Sequence, residues 1–145
     1  MRAAFAAQLM AWFILRSKVV GAHVAVTYAD RILVVRNSYR RKLGFPAGRV
    51  KRGEGLAIAA SRELLEETGI HIPPEELRYV GLVATREEYK RDEAHVFEVD
   101  VPEEPAIEVD RREVVWAGFM DHESARVACR CCGTHGTTSS RRRTS

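Results

Sequence analysis

Apolar, β-branched runs broken by polar or proline-rich stretches divide the chain into alternating extended and helical pieces. Val19–Tyr28 and Arg31–Arg36 are two such runs, and Ala29-Asp30 between them predicts a hairpin. Leu43-Gly44-Phe45-Pro46 reads as a short extended piece that enters a glycine-rich turn. A helical pattern follows, and Pro73-Pro74 then forces a loop, because proline cannot continue a helix interior. Leu77–Thr85, Ala94–Val101 and Glu113–Phe119 read as three further strands, the second with clear alternation over His95–Val99. A short closing helix is expected near His122 with Asp121 as its cap, running to about Val127. Strands on both sides of a central helix predict an α/β fold, a mixed sheet with helices on its faces.

The central helix is unusual in where it puts its acids. At about 100° per residue, Glu63, Glu66 and Glu67 fall within an arc of roughly 100°. Ala57, Ile58, Ala60, Ser61, Leu64, Leu65 and Thr68 occupy most of the opposite side, an apolar stripe able to pack on a sheet. Gly69 supplies a helix stop, and Gly53 and Gly55 flank Glu54 in the turn before the helix. Like charges three and four apart repel. A solvated charged face is the usual meaning of such a run, but the spacing and the flanking glycines favour a site. An all-oxygen donor set suits a hard cation, Mg²⁺ or Mn²⁺.

Composition adds little to that picture and bounds the rest. With 145 residues, 46% hydrophobic and 30% charged, the chain has the make-up of one globular domain. A net charge of +3, much of it in Arg141, Arg142 and Arg143, gives no strong nucleic-acid signal. The expected organisation is an apolar N-terminal helix over 1–17, a domain over 18–128, and a flexible Cys/Ser/Thr/Arg tail over 129–145. Ala3–Leu15 is too short to span a bilayer, which takes about 20 residues. Packing on the domain, contact with a membrane surface, export, or a homodimer contact all remain open for it, with a cytoplasmic enzyme as the default. Cys129, Cys131 and Cys132 lack the paired spacing of a zinc site and read as reduced tail residues.

The segment Gly48–Ile70, GRVKRGEGLAIAASRELLEETGI, resembles the signature of the Nudix (MutT-like) hydrolases. That signature runs glycine, five residues, glutamate, seven residues, then Arg-Glu-apolar-x-Glu-Glu-x-Gly-apolar. Gly48, Glu54, Arg62, Glu63, Leu64, Glu66, Glu67, Gly69 and Ile70 meet every fixed position. One departure lies just upstream, where Ala47 replaces the more usual glycine. The surrounding strand pattern extends the likeness to roughly Val19–Val127. The resemblance implies an α/β/α sandwich with the acidic helix beside the cleft. It also implies Mg²⁺-dependent hydrolysis of a nucleoside diphosphate linked to another moiety, by water attack at a pyrophosphate phosphorus. On that basis Glu63, Glu66 and Glu67, with the Ala47 carbonyl, are the expected metal ligands. Glu63 is also the first choice to orient or deprotonate the water. Arg62 is expected to organise the acids through a bidentate pair with Glu66 or another carboxylate. Glu54 and Gly69 are structural supports, and Gly48 forms the floor beneath the phosphates.

Other candidates are less determined by the pattern. Arg36, ahead of the basic Arg40, Arg41 and Lys42, could contact substrate phosphates, or the group could be a surface loop. Tyr39 and Tyr89 could stack on a base. Glu87, Glu88, Glu93 and Glu113 are candidates for a further carboxylate, with Glu113, three before Trp116 on the last strand, preferred. A nucleotide-sensing module without turnover and an isomerase of a diphosphate substrate are the alternative readings. Nothing resembles the proline of the ADP-ribose-cleaving subgroup or a coenzyme-A motif, so the substrate stays open among nucleoside triphosphates, nucleotide sugars and dinucleoside polyphosphates.

Overall fold

The computed structural model describes residues 19–39, 42–87 and 90–128. The expectations for the N-terminal apolar segment, the tail, Arg40, Arg41, Glu88 and Tyr89 lie outside those residues. Strands β1 (Val19–Tyr28) and β2 (Arg31–Asn37) form the hairpin. Its two turn residues, Ala29 and Asp30, have φ of 45° and 60°, the left-handed pair that two-residue hairpin turns require. Along β1, Ala22, Val24 and Val26 are fully buried at every second position. Along β2, Ile32, Leu33, Val34 and Val35 are buried in succession, because a helix covers each face of that strand.

The hairpin pairs only near its turn, at Thr27↔Ile32 and Tyr28↔Arg31. Farther from the turn the two strands are bridged by other segments. Gly44 exchanges backbone hydrogen bonds with Val35 at 2.8 and 3.0 Å. Strand β3 (Ala47–Arg49) then pairs with Gly21–His23 of β1. Ala47 and Gly48 thereby reach the opened end of the hairpin. The expected extended piece at Leu43–Pro46 is this bridge, and the strand itself begins one residue later.

Beyond β1, strand β5 (Lys90–Asp100) runs parallel to it, and β4 (Arg78–Glu87) runs antiparallel to β5. On the other side β6 (Val114–Asp121) pairs antiparallel with β2. The order is β4-β5-β1-β2-β6, a mixed sheet. Strand β5 starts four residues earlier than expected, since Lys90 and Arg91 pair with β4, and Asp92 and Glu93 with both β4 and β1. A single 3-10 turn, Pro74–Glu76, occupies the proline loop.

Helix α1 (Leu56–Thr68) packs on one face of the sheet, with Ala59, Ala60 and Leu64 fully buried against β1. Gly69 ends it at φ 72°, and its N–H donates to the Leu65 carbonyl. The buried side is rotated from the expected stripe. Ile58 and Leu65 are 56% and 44% exposed, whereas Glu67 is only 5% exposed. Alanines at 59 and 60 let the helix sit close to the sheet, and this turns the acid edge inward. Helix α2 (His122–Ala128) covers the other face, with Ala125 against Ile32 and Val34. Asp121 caps it by accepting from the Ser124 N–H at 2.8 Å. The layers are α/β/α. No described helix is long and apolar enough to cross a membrane.

Candidate active site

The turn before α1 is built around Glu54. Gly53 takes φ 77°, and the Glu54 carboxylate accepts the Lys51 N–H at 2.9 Å. Arg62, on the first turns of α1, closes on that carboxylate with two bonds, Nε to Oε1 at 2.8 Å and Nη2 to Oε2 at 3.0 Å. The acid held bidentate is thus Glu54. Glu66 receives a single bond from Nη1 at 3.2 Å, and Glu63 a shorter one from the same atom at 2.6 Å. Nη2 also donates to the Arg49 carbonyl at 3.1 Å, tying helix to β3. The Arg62 guanidinium, followed by the Lys51 N–H, holds the Glu54 carboxyl down to about 2. Reciprocally, Glu54 and then Glu63 raise the Arg62 pKa, against the cost of its own desolvation.

One turn further along, Glu67 meets the opposite environment. Its Oε2 accepts the Ala47 N–H at 3.0 Å. Burial pushes its carboxyl up to about 7, against that hydrogen bond and with help from the charges of Glu63, Glu113 and Asp110. Glu63 lies between the two environments. Its carboxylate occupies the space that a Cβ on residue 48 would fill, so Gly48 gives Glu63 room as well as turning the chain.

Glu63, Glu66, Glu67, Asp110 and Glu113 line one open cavity of about 280 Å³. Glu113 arrives there from the loop between β5 and β6. The second half of that loop is fastened at two points, by the Glu108 N–H on the Thr68 carbonyl at 2.8 Å and the Ser38 N–H on the Glu113 carbonyl at 2.8 Å. Asp110 was not foreseen. Its only sequence signal is an aspartate two residues ahead of a turn in an otherwise patternless acidic stretch. Backbone N–H groups, first that of Arg112, hold its carboxyl below the usual range.

Other expected residues stand elsewhere. Arg36 is exposed and shares its face of β2 with Ile32 and Val34, the face covered by α2, and it does not line the cavity. Glu93 lies on β5 with its carboxylate 3.9 Å from the His95 ring. Tyr39 is exposed at the end of β2.

The donor chemistry fits a hard divalent cation. The cavity walls are carboxylates, one of them buried and repelled by three others, and Arg62 pairs with them only from the Glu54 side. Among the described residues no three acid, histidine or cysteine side chains already converge as a ligand set. A cation would have to draw them in, with Arg62 holding Glu63 and Glu66 from the Glu54 side.

Comparison with solved structures gives the same fold. A MutT NUDIX hydrolase from Burkholderia pseudomallei superposes with a TM-score of 0.65 at 20% identity, covering 76% of this chain and 94% of that one. An Ap4A hydrolase of C. elegans in a binary complex gives 0.66 at 19% identity, covering 76% and 85%. A bifunctional NMN adenylyltransferase/ADP ribose pyrophosphatase from Francisella tularensis, complexed with AMP and a Mn ion, gives 0.65 at 22% identity, covering 82% and 39%. Comparison with curated proteins gives no match. A sequence profile of the NUDIX domain matches residues 17–130, which takes in every element from β1 to α2 and both walls of the acid cavity. On that match and that fold, the chain belongs to the Nudix hydrolase family.

Proposed function

We propose that the acid cavity binds Mg²⁺ or Mn²⁺ and that the enzyme hydrolyses the pyrophosphate linkage of a nucleoside diphosphate derivative. The observation that carries this reading is Glu67, a carboxylate 5% exposed whose neighbouring charges are three more carboxylates. Such a group is stable as an anion only with a cation against it. Glu63, Glu66 and Glu67 would hold that cation together with the Ala47 carbonyl. The Ala47 N–H already points at Glu67, and in an extended strand the carbonyl of the same residue faces the same edge. Glu113 is a further carboxylate of the same cavity, available from outside the box.

When bound, the ion would neutralise phosphate oxygens and lower the pKa of a bound water. The chain's own groups supply position and proton transfer. Glu63 takes the proton from the attacking water on a carboxylate oxygen as the new bond to phosphorus forms and the anhydride P–O bond breaks. Arg62 holds Glu63 in place through Nη1 and is itself fixed by Glu54, so it orients the base without touching the reacting atoms. The names of fold relatives, an Ap4A hydrolase and an ADP ribose pyrophosphatase, support a substrate among the phosphoanhydrides of nucleotides. A cytoplasmic setting suits such soluble substrates.

The test is hydrolysis of nucleoside triphosphates, nucleotide sugars and dinucleoside polyphosphates, read by chromatography of the nucleotide products, with Mg²⁺, with Mn²⁺ and in EDTA. Turnover of at least one class that vanishes in EDTA is expected. No turnover of any class, or equal turnover in EDTA, would sink the reading.

A further inference from the structure

The loop from Val101 to Glu113 has no regular structure, yet its last residues are closely pinned. Asp110 Oδ1 accepts two backbone bonds, from the Arg112 N–H at 3.0 Å and the Glu113 N–H at 3.3 Å. Arg111 between them takes φ 60°, a left-handed conformation that a side chain such as arginine seldom adopts unaided. Its N–H donates to the Val114 carbonyl at 3.1 Å. Just beyond β2, the Ser38 hydroxyl donates to the Arg112 carbonyl at 3.3 Å, while the Ser38 N–H donates to the Glu113 carbonyl. Each peptide unit from 111 to 113 is therefore held, and the outcome is that Glu113 faces the cavity lined by Glu63, Glu66 and Glu67.

We propose that Asp110 is a positioning residue whose carboxylate builds the turn that aims Glu113 into the acid cavity, rather than a ligand to the cation. This rests on the reading that the cavity binds Mg²⁺ or Mn²⁺. Oδ1 already accepts two N–H groups, and the capacity to accept them does not depend on charge. An asparagine keeps that oxygen, a serine makes the same kind of turn more weakly, and an alanine makes none.

The two roles therefore predict different series. As a turn builder, residue 110 ranks Asn above Ser above Ala. As a charged ligand, all three replacements fail alike. Mn²⁺ titration of the full chain, read by the loss of the free-ion EPR signal, separates them without relying on turnover. D110N is expected to bind within about threefold of the native affinity and D110A about 10- to 100-fold more weakly, the usual range for groups that orient ligands. E113Q should match D110A, and the double variant should be little worse than E113Q alone, since both act on one group. Amide hydrogen exchange in the metal-free protein adds a second readout. Protection at Arg112 and Glu113 should survive in D110N and fall in D110A. If D110A does not fold, the order of D110N and D110S decides.

Binding by D110N as weak as by D110A or D110S would overturn the proposal, as would native affinity and native amide protection in D110A. Failure of the native protein to bind Mn²⁺ would instead remove the metal reading. Amide protection would still test the turn.

Discussion

Glu54 and Glu67 are the same side chain near opposite ends of one helix, and the fold drives them in opposite directions. Glu54 is gripped by both arms of Arg62 and held down to about 2. Glu67 is buried, faces Glu63, Glu113 and Asp110, and is pushed up to about 7. Between them Glu63 and Glu66 share the remaining Nη1 of Arg62. Pairs of like groups whose environments separate their pKa values often mark a division of labour. Here the compensated end is scaffold: its charges are balanced inside the protein, and it has no use for an outside ion. The uncompensated end is where the proposed cation would bind. The acid content of the box is thus two structures, an ion-pair frame and a set of carboxylates that face one another.

The largest effect should come from the uncompensated end. Glu67→Gln is expected to lower turnover by about 10²-fold or more, the scale seen when preorganised charge is removed. The same variant should be more stable than the native protein without metal. The folded pKa of Glu67, about 7, lies above the reference value of 4.5. The folded state therefore binds more protons between those values, and stability falls as pH rises from about 4.5 through about 7. The loss is of order 3 kcal/mol at most. Thermal melts in EDTA from pH 5 to pH 8 check this. The native Tm should drop across that window, the Gln variant should stay nearly level, and Mg²⁺ should restore the native protein at the alkaline end. Parallel pH profiles for the two proteins would break the contrast between Glu67 and Glu54.

Gly48→Ala probes the acid that belongs to both ends. The added methyl would land on the Glu63 carboxylate, so Glu63 must leave its place beside Arg62. Loss of about 10- to 100-fold in kcat/KM is expected, as for other changes that misorient a ligand. The Mg²⁺ concentration for half-maximal rate should rise with it. Full activity in this variant would show that the Glu63 position seen here is irrelevant to turnover.

Arg62→Lys tests the compensated end and should cost less. It keeps the charge but loses the planar fork that spans Glu54, Glu63 and Glu66. A fall of about tenfold in kcat/KM is expected from the weaker hold on Glu63. Glu54 adds a signature in acid. Its folded pKa is depressed, so its contribution to stability is present above 4.5 and is lost as pH falls toward about 2. That acid-side loss should shrink in the lysine variant, and acid unfolding followed by circular dichroism measures it. An unchanged acid limb would mean that the fork adds nothing beyond the charge.

How far these roles could be read from the sequence depended on how local their causes were. The hairpin at Ala29-Asp30, the α1 stop at Gly69 and the α2 cap at Asp121 are set by neighbouring residues, and each is present. The Nudix assignment rested on fixed spacing within one segment, and the profile match over residues 17–130 agrees with it. Non-local pairing was not legible. Nothing near Lys90 announces that its strand will lie parallel to β1, nor does Ala47–Arg49 announce a strand paired with β1 at the opened end of the hairpin. Asp110 was missed for the same reason. It matters because a loop with no hydrophobic period folds back against Ser38 and the end of α1. The separation of Glu54 from Glu67 was equally hidden, since it depends on how far the helix turns toward the sheet.

That rotation has its own small test. A helical wheel counts Ile58 and Leu65 with the apolar stripe, yet they are 56% and 44% exposed, while Leu64 beside them is fully buried. The buried arc centres instead on Ala60, Leu64 and Thr68 and extends to Glu67. If the helix sits as described, Ile58→Gln and Leu65→Gln should each change unfolding free energy by no more than about 0.5 kcal/mol, the range of ordinary surface substitutions. Urea unfolding measures this directly. A loss of 2 kcal/mol or more, as expected for emptying a core position, would mean that these side chains pack inside. The helix would then have to be turned the other way. Glu67 would move out into water, and the high pKa that distinguishes it from Glu54 would go with it.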